Sequence, residues 1–368
     1  MITSIDIRGF KRFHRKSFEF APLTILTGLN GSGKTSLIQA LLLTWEATAG
    51  ASKGAVRLNG PFGLELGTAE DIRNWKSTES IRIVLLSTTG GESSWQFGMP
   101  SEDALYVSVE EKPDSRPAAF SGEPRAFTYL CAERLGPRSN SGASPLPPID
   151  LEVGVHGEYC AQILESLGDK LIEDKSRARS DREQGATALL KYEVERWLAE
   201  IARPVEIDAI RYASSAMFAL RFRSPGGEWV RAPNMGFGLS YALPVILAGL
   251  TAKAGGLLIV ENPEAHLHPA GQSQMGAFLG WLASRGVQII VETHSDHVLN
   301  GVRRAIGAHQ YLAANQALVH FFESGQDDEP VVHRLGFTPI GGVSHWPPGF
   351  FDQYQTDIAT LGRIRRGK

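Results

Sequence analysis

Cysteine is scarce, two residues in 368, and Cys131 and Cys160 form neither a metal-ligand pair nor a disulfide framework. A reducing cytoplasm is therefore the compartment to expect. Net charge is equally small: 37 basic and 40 acidic side chains leave −3, which excludes a globally basic nucleic-acid binder while leaving room for local patches. No apolar run is long enough to cross a bilayer. The most hydrophobic window, 241–260, is divided by Pro244, Lys253 and the pair Gly255 and Gly256 into helix, turn and strand. The amino terminus, MITSIDIRGF, lacks the apolar core of a signal peptide. There is no internal repeat and no sustained heptad pattern, so a long coiled-coil arm is not expected. What remains is a chain with 42% hydrophobic residues, enough for the core of one large domain or two smaller ones, with no membrane partner expected.

The runs ITSIDI, SFEF and LTILTG read as short strands, the last feeding a glycine-rich loop and then the apolar helix SLIQALLLTW. IRIVLLS, SWQFGM and LYVSVE continue the strand pattern, so the first lobe is expected to hold a mixed sheet with antiparallel additions. Between Pro113 and Pro148 the chain is a Pro-, Ser- and Gly-rich loop interrupted by the strand-like AFTYLCAE. Two helical patterns follow, split by a charged stretch that reads as solvated. MFALRFRSPGGEWVRAP reads as a hairpin turning at Pro225, Gly226 and Gly227. Helix 239–252, strand 257–261, helix 270–285, strand 287–292 and helix 296–308 then alternate, which predicts a parallel sheet in an α/β fold. The organisation expected is an amino-terminal lobe (1–130), a loop and helical insert (131–205), a second lobe (206–322) and a small extension (323–368).

Chemistry concentrates at three places. GLNGSGKT, from Gly28 to Thr35, fits the pattern G-x-x-x-x-G-K-[ST] between a strand and a helix. Its backbone amides and helix amino terminus favour phosphate oxygens, Lys34 can reach terminal phosphates, and Thr35 can ligate magnesium. LLIVE, a buried strand by pattern, ends in Glu261, a carboxylate suited to the magnesium shell. QIIVETHSDH is another strand, and its His294 can hydrogen-bond a terminal phosphate or an attacking water. His266, His268, His294 and His297 have spacings that suggest zinc, but the first two fall on a turn and His294 already has a phosphate role.

The ordered set GLNGSGKTS, NMGFGLSYALP, LLIVENPEAHLHP and VETHSDH resembles the ABC-type ATPase heads of the SMC and RecF class. It looks closest to the ATPase part of OLD-family proteins and their stand-alone AAA-family relatives. The resemblance covers roughly residues 1 to 323, and the tail with WPPGFFDQ resembles a small domain of unknown function found in some of them. It implies a P-loop NTPase of ABC-ATPase-head type, with a mixed sheet flanked by helices, an inserted helical region and a small carboxy-terminal extension. It also implies that Gly28, Asn30, Gly31, Ser32, Gly33, Lys34, Thr35 and Ser36 cradle ATP, with Thr35 and Glu261 holding Mg2+. Asn234, Gly236, Gly238 and Ser240 would form a signature that faces the nucleotide of a second subunit, so that two heads close over two ATP molecules. Tyr241 stands there in place of the usual glycine. The glutamine expected to link the lobes to the metal is not identifiable, and Asp71 reads better as a helix cap. Arg134 and Arg138 flank a loop and read as surface ion pairs. The basic and aromatic opening, with Arg8, Lys11, Arg12, Arg15, Lys16, Phe10 and Phe13, could serve a nucleotide base, a DNA surface or merely a solvated hairpin.

The position after Glu261 decides the expected rate. In ATPases of this build a second carboxylate activates the water, but here the residue is Asn262, which orients water and cannot accept its proton at neutral pH. Glu264 follows after one proline, and relatives of EPE type have a glutamate nearby. The expectation is slow hydrolysis, with Asn262 positioning water and Glu264 or His294 assisting. The function implied is an ATP-dependent switch that self-associates through its heads and acts on an effector encoded nearby or on DNA, in genome maintenance or anti-phage defence. A non-hydrolysing scaffold for a toxin or nuclease partner is the alternative, and a transporter subunit fits poorly because a long insert separates Thr35 from Leu257. The tail is too short for the nuclease domain of OLD proteins.

Overall fold

The computed structural model describes residues 1–49, 54–89, 91–178, 188–325 and 329–365. Its first half supplies β1 (Ile2–Phe10), β2 (Phe13–Glu19), β3 (Leu23–Gly28), α1 (Lys34–Ala49), β4 (Ala55–Arg57), α2 (Ala69–Ile72) and β5 (Ile81–Ser87), then β6 (Gly91–Gly98), β7 (Tyr106–Glu111), β8 (Phe127–Leu130), β9 (Ser141–Gly142) and α3 (Cys160–Leu167). The second half supplies α4 (Leu190–Ile201), β10 (Glu206–Tyr212), β11 (Met217–Arg223), β12 (Val230–Arg231), α5 (Phe237–Thr251) and β13 (Leu257–Glu261). It ends with α6 (Pro269–Ser284), β14 (Gln288–Glu292), α7 (Asp296–Gly307), β15 (Ala317–Glu323), β16 (Val331–Gly336) and α8 (Gln353–Arg365).

The central sheet runs β16-β15-β3-β14-β13-β8, parallel from β15 to β8 with β16 antiparallel at the edge. LLIVE and QIIVE are buried at every residue because both faces of this sheet are covered. Alternation divides their side chains. Leu258, Val260, Ile289 and Val291 join a core with α4, α5, α6 and α7, whereas Leu257, Ile259 and Ile290 join a second core with α1. Helix α1 has Leu37, Ile38 and Leu41 to Leu43 all buried, so it is apolar nearly all round, as a helix enclosed between layers must be.

The antiparallel strands foreseen for the first lobe form a sheet of their own, β2-β1-β5-β6-β7-β4, which closes over α1 instead of extending the parallel sheet. A third sheet pairs β10 with β11, carrying β9 and β12 on β11. The predicted hairpin at Pro225 is therefore its minor turn, and the longer pairing, Glu206–Tyr212 with Met217–Arg223, is new. The expected boundary at 322/323 falls at the end of β15, and β16 beyond it continues the central sheet while Phe350 packs edge-on against Phe321. Residues 179–187 of the charged stretch lie outside the described residues. No helix among the described residues is long and apolar enough to cross a membrane.

Candidate functional site

Parallel strands deliver their carboxyl ends to one edge of a sheet, and the sequence uses three neighbours for this: β3, β14 and β13. From β3 the chain enters the glycine loop, where Gly28, Gly31 and Gly33 have φ of 131°, 72° and 106°. Glycine is required at 28 also for space, since a Cβ there would lie 2.0 Å from the Phe322 carbonyl oxygen. Ser32 Oγ donates to the Leu29 carbonyl at 2.7 Å and so ties the loop to itself. Lys34 opens α1 almost wholly buried, and its Nζ donates to the carbonyls of Gly28 at 3.0 Å and Leu29 at 2.7 Å. Burial depresses its pKa, and the charge of Glu292 opposes that shift.

Glu292, which ends β14, was not singled out by the sequence reading. It sits in register with Glu261, with Oε1 3.8 Å from Lys34 Nζ. Its Oε2 is buried without a hydrogen-bond partner among the described residues. Burial foremost, then the charge of Glu261, push its pKa up to about 7, against the pull of Lys34 and a hydrogen bond from the Thr35 side chain. The signal was present in the letters, because LLIVE and QIIVE end in the same acid at matching strand ends.

Glu261 accepts hydrogen bonds from the Tyr129 hydroxyl at 3.1 Å and the Ala132 amide at 3.2 Å, both just before or after the end of β8. Burial raises its pKa, while those two bonds and Arg134 lower it. Asn262 follows in the left-handed region at φ 44°, donating its amide to the Glu292 carbonyl at 2.8 Å. Its side-chain Oδ1 is buried and has no hydrogen-bond partner among the described residues. Glu264 accepts from Thr293 Oγ1 at 2.8 Å and from the His294 amide at 2.9 Å, so both carboxylate oxygens hold the loop after β14. The His294 side chain is exposed, and its pKa is lowered by partial burial and then by the positive charge of Lys34.

Arg134 corrects an expectation. It is 2% exposed and not a surface residue: its guanidinium donates to the carbonyls of Glu261 and Asn262 at 2.6 Å and of Cys131 at 3.1 Å. It also lies 5.6 Å from the centre of the Tyr241 ring on α5. A delocalised planar cation is suited to gathering several carbonyls from different segments. Arg138 lines a cavity with Ser240, Glu158 and Phe218. Asp71 caps α2 through a reciprocal pair with Thr68. In the basic opening, Phe10 and Phe13 are fully buried and unavailable for stacking on a base. Lys11 donates to Gln39 at 2.8 Å, Arg8 pairs with Asp6, and Arg12 lies beside Gly31.

The NMGFGLSYALP loop turns at Gly236, φ 86°, to start α5 at Phe237, so Ser240 lies in the first turn. Gly238 packs on the His266 carbonyl, where a Cβ would lie 3.1 Å away. Gly236 and Gly238 line an open cleft with Arg203, His266 and His268, and none of the residues lining that cleft comes from the glycine loop. Asn234 is exposed, and His268 caps α6.

The oxygen donors gathered at this edge, the Thr35 hydroxyl and two buried carboxylates, suit a hard cation such as magnesium. The Glu292 Oε2, which has no hydrogen-bond partner among the described residues, fits that need.

Residues 4–143 match the family model described as "AAA domain", and residues 164–300 the one described as "AAA domain, putative AbiEii toxin, Type IV TA system". Residues 312–361 match "Protein of unknown function (DUF3696)". No curated protein matches the chain. Among solved structures it is similar to an SmcHead bound to the C-winged helix domain of ScpA, at 13% identity and TM-score 0.53 over 91% of this chain and 97% of that one. It is similar also to a Smc head domain with an extended coiled coil, bound to the C-terminal domain of ScpA derived from Pyrococcus furiosus, at 12% identity and TM-score 0.52 over 99% of each chain. At these identities the likeness is one of fold, while the AAA matches imply nucleotide binding and ATPase kinship. The chain thus carries AAA-type ATPase domain sequence on an α/β SMC-head fold, with a DUF3696 segment at its carboxy-terminal end.

Proposed function

We propose that this chain is a slow ATPase that works as a conformational switch, two heads closing on ATP and acting on a partner when they open. The observation that supports it most is the convergence of the glycine loop, two buried acids and His294 at the ends of β3, β13 and β14. In this reading the loop amides and the start of α1 hold the phosphates. Lys34 gives up its contacts to Gly28 and Leu29 and reaches the terminal phosphates, where charge-assisted bonds are stronger. Thr35 and Glu261 hold magnesium, which supplies charge neutralisation on the phosphate oxygens when bound. Asn262 orients the attacking water. Glu264, with both oxygens already engaged, fixes the backbone that presents His294 to the terminal phosphate.

Asn234, Gly236, Gly238 and Ser240 face a partner's nucleotide in this scheme, and the cleft lined by Gly236 and Gly238, which takes no residue from the glycine loop, supports action in trans. Smc heads bound to ScpA domains support the idea of a protein partner, and the toxin named in the matched family description supports a defence-linked one. DNA remains the second partner class, served by the exposed part of the basic opening. The division into 1–130, 131–205, 206–322 and 323–368 is retained as a description of roles, with 323–368 joined to the central sheet through β16.

Steady-state phosphate release by the purified protein, with Lys34→Ala as control, tests the reading. Release by the wild type and its loss in the variant are expected; full activity in Lys34→Ala would overturn the site. A second reading, a nucleotide-held scaffold without turnover, is favoured by Asn262 alone, and nucleotide binding without phosphate release would select it.

A further inference from the structure

We propose that Glu292, rather than Glu261 alone, supplies the carboxylate that meets a divalent cation held on Thr35. The proposal rests on the nucleotide-site reading above and assigns within it a residue that the pattern of motifs passes over.

Strand order is the first argument. β14 lies between β3 and β13, so Glu292 stands one strand nearer the glycine loop than Glu261 does. The second is occupancy. Each Glu261 oxygen already accepts a bond from the β8 side, from Tyr129 and from Ala132. Glu292 is engaged on the other side: the Thr35 side chain bonds it, Lys34 Nζ lies 3.8 Å from Oε1, and Oε2 has no hydrogen-bond partner among the described residues although only 7% of the residue is exposed.

A purely structural ion pair with Lys34 accounts poorly for this geometry. The 3.8 Å separation is longer than a direct hydrogen bond, and the lysine donates instead to the Gly28 and Leu29 carbonyls. When the lysine moves to the phosphates, two buried carboxylates would be left beside further negative charge. A cation between Thr35 and Glu292 neutralises that excess and uses the free oxygen. Glu292 would then fill the part left open by the unidentified glutamine, reaching the metal from the strand before His294.

The test compares the affinity of the wild type and Glu292→Gln for a fluorescent ATP analogue in excess Mg2+ and in EDTA, with Mn2+ binding followed by electron paramagnetic resonance. Glutamine keeps the shape and removes the charge. Glu292→Gln is expected to bind nucleotide in EDTA at least as tightly as the wild type, because one repelling carboxylate is gone, but to lose roughly ten-fold or more of cation affinity, in the range usual for disturbed metal surroundings. Glu292→Asp, with the charge retained but drawn back, should fall between the two. An unchanged Mg2+ dependence in Glu292→Gln would overturn the assignment. Loss of binding in EDTA as well would make Glu292 a prop for the loop and overturn it too. No nucleotide binding by the wild type would remove the reading on which the assignment stands.

Discussion

Asn262 is gripped from both sides of its peptide. Its amide bonds the Glu292 carbonyl, and its own carbonyl receives Arg134, with the backbone held at φ 44°. Asparagine tolerates that region better than most residues, so the residue type has a local reason besides chemistry. Replacement by glutamate sets two effects against each other: strain of about 1 kcal/mol in the left-handed region, and a general base whose usual contribution is roughly a hundred-fold or more. The base should win. Phosphate release by Asn262→Glu is expected to rise at least about ten-fold while the melting temperature drops slightly; an unchanged rate would mean that this side chain does not face the water. The missing carboxylate at 262 was legible in the letters, but the twist of the backbone was not. Nor was the use of Arg134, because the carbonyls it gathers belong to segments more than a hundred residues apart in sequence. Glu292 escaped for a related reason: its importance depends on which strands are neighbours.

Among the elements, the short apolar strands and the helices between them were readable because each buried run is bounded by glycine, proline or polar turns. LLIVE ends where the pattern says, at Glu261, and α6 and α7 start within one residue of expectation. The pairing of β10 with β11 was less legible, since Glu206, Asp208, Arg221 and Arg223 put charge on strands whose cross-strand ion pairs appear only after folding. Sheet membership was also hidden: local patterning names a strand but does not say which sheet receives it. The contact between α6 and α7 carries a prediction. Alanine in place of a helical glycine ordinarily gains up to about 1 kcal/mol. At Gly301, however, a Cβ would lie 2.0 Å from the Ser273 carbonyl oxygen and 2.9 Å from the Ala277 nitrogen, both rigid backbone. The clash should prevail, and Gly301→Ala is expected to lose roughly 1–3 kcal/mol, read as a lower midpoint in denaturant. A raised midpoint would show that the helices can separate freely. Because Ser295 caps α7 immediately after His294, the same variant should also weaken nucleotide binding.

For the whole molecule, action in trans makes a prediction that a self-contained site does not. Asn234 is exposed, so Asn234→Glu should fold normally while placing a negative charge against the partner's phosphate. Lys34→Ala and Asn234→Glu are each expected to be inactive alone. Mixed together, they should recover part of the phosphate release, because a mixed pair holds one undamaged composite site. No recovery at any ratio would confine the signature loop to its own chain.

The carboxy-terminal segment changes meaning in this light. β15 lies between β16 and β3, and its Phe322 carbonyl accepts the Leu29 amide at 3.2 Å while leaving no room for a side chain at Gly28. Whatever pulls on the strand pair β15 and β16 therefore tugs on the phosphate loop through the whole β15–β3 ladder, of which this contact is the last rung. A force on β16 would reach the glycine loop through paired strands without passing through the helices, and the segment beyond β15 would then be a handle on the cradle.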